Sequence, residues 1–165
     1  MEIIPLLLKE LDQEAQTTRK FLKLVPMDKL EWQPHPKSMT IKRLAVHIAE
    51  LPSWIDLSIN RDGIDFAGAP QQPASVSSYE ELSDLFEKSF AKGRTALANA
   101  KEEELSKNWT LSSGDKVLGV MTKYEAVRHS YSQIIHHRAQ LGVFLRLLDI
   151  PIPGSYGPSA DEMSF

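Results

Sequence analysis

The sequence contains no cysteine among its 165 residues. That absence excludes a disulfide framework, a thiolate nucleophile and any sulfur-ligated metal, and leaves nitrogen and oxygen as the donors for an ion. An excess of either charge is also missing. Nineteen Lys and Arg stand against 22 Asp and Glu for a net charge of -3, with the basic residues scattered rather than striped. The electrostatic footprint of a duplex-binding protein is therefore lacking, and no nucleic-acid partner is expected. Apolar runs are only a few residues long, so no segment is expected to span a membrane. The opening MEIIPLLLKELDQE lacks a basic region and a small-residue cleavage site, so it does not resemble a signal peptide, and a cytoplasmic protein is expected.

What is present is the composition of a soluble globular chain, 42% apolar and 25% charged. The length predicts one domain over residues 1–165. Ile3, Ile4, Leu7, Leu8, Leu11, Ala15, Phe21, Leu22 and Val25 recur every three or four positions, predicting a first amphipathic helix from Glu2 to about Val25. MDKLEWQPHPKS, with two prolines around His35, reads as a loop, and Thr40 is the expected N-cap of the next helix. That second helix runs from about Ile41 to Asn60, with Pro52 expected to kink or split it near Leu51. RDGIDFAGAPQQPASVSS then reads as one long crossover. A third helix is predicted from Ser78 to about Ala100 and a fourth from Lys123 to about Leu148. Between them NWTLSSGDKVLGVMT alternates on both sides of Ser-Gly-Asp, consistent with a short hairpin or an extended connection, although two strands alone could not stand free. The expected fold class is therefore all-α, a four-helix bundle with a long crossover between helices two and three. PIPGSYGPSADEMSF, rich in proline and glycine, reads as a non-helical tail.

Three of the five histidines fall in HSYSQIIHHRAQ on the fourth helix. On a helical wheel His137 lies within the apolar arc and Gln133, one turn earlier, near its margin, whereas His129 and His136 sit about 80 to 100° away and border the core. His47 of the second helix lies about 80° off its apolar stripe and faces sideways, a position that can reach across the bundle. Neutral imidazoles are common ligands of borderline divalent metals, and two of them with a third donor leave open positions for water or substrate. A hydrogen-bonded histidine at the core margin satisfies the same pattern, because the strong helical signal of two histidines four apart is lacking before His137. Trp32, Trp54 and Trp109 read as core-margin packing with pocket lining as the alternative. Glu50, three residues after His47, is a candidate base or imidazole-orienting group, with a solvated helix acid as the alternative.

The segments SMTIKRLAVHIAELPSW, HSYSQIIHHRAQLGVFLRLLDIPIP and YGPSADE, in that order, resemble the DinB/YfiT-like superfamily over nearly the whole chain. The resemblance implies a bundle in up-down-down-up order, often a homodimer, with a divalent metal held by one residue of the second helix and two, one turn apart, on the fourth. Carried onto this chain, those positions are His47, Gln133 and His137. The middle position, a histidine in the family pattern, is glutamine here. The resemblance further implies zinc or nickel as the ion, a low-molecular-weight thiol such as mycothiol or bacillithiol as co-substrate, and a small-molecule substrate. Two functions follow. One is a metal-dependent enzyme, a thiol S-transferase or hydrolase, in which the ion lowers the pKa of a bound thiol. The other is a non-catalytic dimeric bundle for small-ligand binding or stress response, with a degenerate metal site.

Overall fold

The computed structural model describes residues 2–67 and 74–163. Among the described residues five α-helices are present: α1 (Ile4–Leu22), α2 (Ile41–Glu50), α3 (Trp54–Asn60), α4 (Tyr79–Ala98) and α5 (Lys123–Leu147). The caps expected at Thr40 and Ser78 are in place, and a further one stands at Thr122. Thr40 and Ser78 side chains accept from the Arg43 and Glu81 N–H groups, and Thr122 forms a reciprocal capping box with Glu125.

The predicted second helix is split where proline requires it. Pro52 sits in a short 3₁₀ turn, Leu51–Ser53, between α2 and α3. The backbone groups freed at this break find partners on α4: the Ser89 hydroxyl accepts from the Ser53 N–H at 2.8 Å and donates to the Glu50 carbonyl at 2.9 Å. One turn further along α4, a Cβ built on Gly93 would lie 2.1 Å from the Pro52 carbonyl oxygen, so only glycine permits this approach.

The expected all-α class is overturned by a three-stranded mixed sheet. Strands β2 (Asn108–Ser113) and β3 (Lys116–Thr122) form the antiparallel hairpin that the alternation allowed, with Gly114 in its turn at φ 59°. The pairing steps from Leu111↔Gly119 to Ser112↔Val117, leaving Leu118 as the extra residue of a bulge. The third strand, β1 (Gly63–Asp65), pairs parallel with β2 and lies inside the stretch expected to be crossover only. A three-residue strand is too short to show a period in sequence, and its partner is more than forty residues away. The expected crossover also covers 68–73, which lie outside the described residues.

The core has two parts. One gathers Phe21, Ile41, Leu44, Ile48, Phe86, Leu141 and Leu145, and the other Leu7, Leu11, Ile55, Leu97, Val127 and Tyr131. Among the described residues no helix is long and apolar enough to cross a membrane. The tail from Pro151 is non-helical as expected and folds back onto α1 and α5.

Candidate metal centre

α2 and α5 bring His47 and His137 together. Their ring centroids are 4.6 Å apart, edge to face, with no aliphatic side chain between them. His137 is buried on the core face of α5, as the wheel required, and His47 is half-buried on the last turns of α2, just before the proline break. His136 is exposed, its ring 4.9 Å from that of His137. His129 is exposed one turn before Gln133. His35 is an exposed loop residue whose Nδ1 accepts from the Lys37 N–H.

Two carboxamides clamp His137. Its Nδ1 lies 2.8 Å from Gln140 Oε1 and its Nε2 2.9 Å from Gln133 Oε1. Burial lowers the His137 pKa, outweighing the Gln140 contact that raises it, so the ring is neutral at neutral pH and has a single N–H for two amide oxygens. One of those oxygens therefore faces a ring lone pair. Such a contact persists only if that glutamine turns its NH₂ inward or a cation enters between the two acceptors. His47 is held neutral more strongly. Burial first, then the neighbouring His137 and Arg43, push its pKa down to about 4. Among the described residues no protein group hydrogen-bonds the His47 ring, so its lone pair is available.

His47, Gln133 and His137 are the side chains that would hold a divalent ion here. Bonds of about 2.0–2.2 Å at right angles place neighbouring donors about 3 Å apart, close to the separation of His137 Nε2 and Gln133 Oε1. Among the described residues no cluster of three histidine, cysteine, aspartate or glutamate side chains could hold an ion. Two imidazoles and an amide oxygen carry no negative charge to offset that of the ion, and they leave coordination positions open. Glu50 does not join them: desolvation raises its pKa and its Oε1 accepts from the Ala74 N–H at 3.5 Å.

Sequence reasoning missed the part of Gln140, although its spacing three residues after His137 is the available signal. It also weighted Trp54 toward packing, whereas the indole stands edge-on to His47 with centroids 6.2 Å apart. Tyr131 is fully buried and donates to the Leu7 carbonyl at 2.8 Å, so it lines no cleft. A groove of about 680 Å³ between α3 and α4 is lined by the ion-paired Asp56 and Lys92 and shares no residue with the histidine pair. Its size alone assigns it no role.

Fold and site together define a helical bundle, carrying a small sheet, whose interhelical cleft holds a neutral histidine pair. The chain belongs to the DinB family, whose model matches residues 2–164. It is similar in structure to a DinB-like protein from Bacillus cereus, with 21% identity and a TM-score of 0.71 over 91% of this chain and 95% of that one. A DinB-like protein from Bacillus subtilis matches at 16% identity and a TM-score of 0.69, over 96% and 99% of the two chains. A conserved protein from Enterococcus faecalis matches at 20% identity and a TM-score of 0.64, over 90% and 98%. No curated protein matches.

Proposed function

We propose that the chain is a cytoplasmic metal-dependent enzyme in which His47, Gln133 and His137 hold a divalent ion, zinc or nickel, for thiol S-transfer or hydrolysis on a small-molecule substrate. The observation that carries this reading is the convergence of two neutral imidazoles from separate helices beside the Gln133 amide oxygen. When bound, such an ion supplies a nucleophile at neutral pH by lowering the pKa of a coordinated low-molecular-weight thiol or water. The chain's residues keep the donors ready. The low pKa of His47 preserves its lone pair throughout the physiological range. In the tautomer whose Nδ1–H is donated to Gln140, Nε2 and Gln133 Oε1 are left as adjacent donors, in the manner of partners that orient metal-bound histidines. A homodimer belongs to the same reading, supported by Val143 and Leu147, exposed one turn apart on α5.

The test is zinc and nickel titration of chelator-treated protein by calorimetry, with retained metal measured by mass spectrometry. Saturable binding at one ion per chain, lost in His47→Ala and His137→Ala, is expected, with Gln133→His binding at least about tenfold tighter because imidazole replaces a weak amide donor. Failure of both the native chain and Gln133→His to bind would sink the reading. It would leave the second one, a non-catalytic small-ligand or stress-response bundle with a degenerate site. That alternative is favoured by one observation, the glutamine contacts at both nitrogens of His137.

A further inference from the structure

A second cavity, about 190 Å³, lies between α3, α5 and the sheet and adjoins the histidine pair. Two residues are common to both: Gln133 lines the cavity while its Oε1 contacts His137, and Trp54 forms a wall while standing edge-on to His47. The remaining walls are chiefly apolar, with Phe66, Trp109, Leu111 and Met121 prominent. Among the described residues no lysine, arginine, aspartate or glutamate lines it.

The polar hydrogens along these walls are already engaged. The Ser58 and Ser130 hydroxyls donate to the carbonyls of Trp54 and Ala126 in their own helices, and the Trp109 indole N–H donates to the Leu57 carbonyl at 3.3 Å. Gln133 and His129, one turn apart on α5, are the polar side chains left to a ligand. An apolar cavity of about 150 Å³ takes a benzene ring, whereas sites for drug-sized ligands run to about 300–1,000 Å³. The volume therefore suits one ring with a short substituent and is too small for a nucleotide or a fused bicyclic system.

We propose that this cavity binds the apolar end of the substrate, an uncharged aromatic or branched aliphatic group of about six to nine non-hydrogen atoms. Its reactive end is then presented to Gln133 and the histidine pair. This deepens the metal-enzyme reading and rests on it for the orientation of the substrate, but occupancy of the cavity needs no ion.

The experiment titrates toluene into chelator-treated native protein labelled with ¹³C at the methionine methyls. The Met121 resonance is expected to move saturably while Met27, Met39 and Met163 stay still. Benzoate, similar in size but charged, is expected to bind at least about tenfold more weakly, because its charge would be buried without a partner. Leu111→Trp, which fills the space, removes the response. A silent Met121 in the folded native chain, or benzoate binding as tightly as toluene, overturns the proposal. Adding zinc separates it from the metal reading: benzyl mercaptan should then outbind toluene at least about tenfold through its thiolate. A Met121 response to toluene with no such gain keeps the cavity and removes the ion.

Discussion

The neutral imidazole of His137 has one hydrogen to offer two glutamine oxygens. If Gln140 takes that hydrogen, Gln140→Ala should lower zinc affinity about tenfold by calorimetry while leaving the helical circular dichroism unchanged. An unchanged affinity would show that Gln140 does not set the tautomer. His47 makes a separate prediction. Its pKa is about 4 in the fold, against about 6.5 in an unfolded chain, so as pH falls the unfolded state takes up the proton first. The stability from keeping His47 neutral is thus complete above pH about 6.5, declines through the interval down to about 4, and then levels off. The lowered pKa of His137 acts in the same direction. Urea midpoints of chelator-treated protein at several pH values should trace this decline, and His47→Asn should flatten it.

At the scale of elements, the join of α2 and α3 holds His47 on one side and Trp54 on the other, so the site depends on how that break is held. Ser89 satisfies the freed N–H and carbonyl, and Gly93 lets α4 approach the Pro52 carbonyl. Alanine at an ordinary helix position would gain up to about 1 kcal/mol over glycine. Here the added methyl meets backbone, and Gly93→Ala should instead cost about 1–3 kcal/mol in denaturant unfolding. The split at Pro52 and the caps at Thr40 and Ser78 were legible because proline and hydroxyl side chains act through local backbone chemistry. The strand at Gly63–Asp65 was not, because its hydrogen bonds go to a partner that only the folded chain brings alongside. It also supplies what the hairpin needed, since three strands packed against helices stand where two would not.

Across the whole molecule, the tail is tied to α1 and α5 where the exposed Tyr156 reaches a buried ion pair. Glu14 and Arg138 are buried, with Arg138 Nη1 2.6 Å from Glu14 Oε2, and the Tyr156 hydroxyl donates to Glu14 Oε1 at 2.6 Å while accepting from Arg138 Nη2 at 3.0 Å. Among the described residues Glu14 Oε2 has no aligned hydrogen-bond donor, and the arginine's charge stands beside it. Arg138→Met would strand that carboxylate in the interior and should cost about 3–5 kcal/mol, most of it recovered in the double variant with Glu14→Gln. A double variant no more stable than the single one would count against this account. Tyr156→Phe should leave the core intact and speed proteolysis of the chain beyond Leu148, because it removes one link of tail to bundle and leaves the Arg146–Asp161 pair.

The sequence by itself determined the helices, their caps, the proline break and the face on which His137 lies, because each follows from residue type and a 3.6-residue period. It also carried the family, through motifs on α2 and α5. Tertiary structure alone decided that His47 meets His137 across the cleft, that two glutamines clamp one imidazole, and that a third strand closes an apolar cavity beside them. Those are contacts between residues distant in the chain, and a periodic pattern records which face an element buries but not what it meets there.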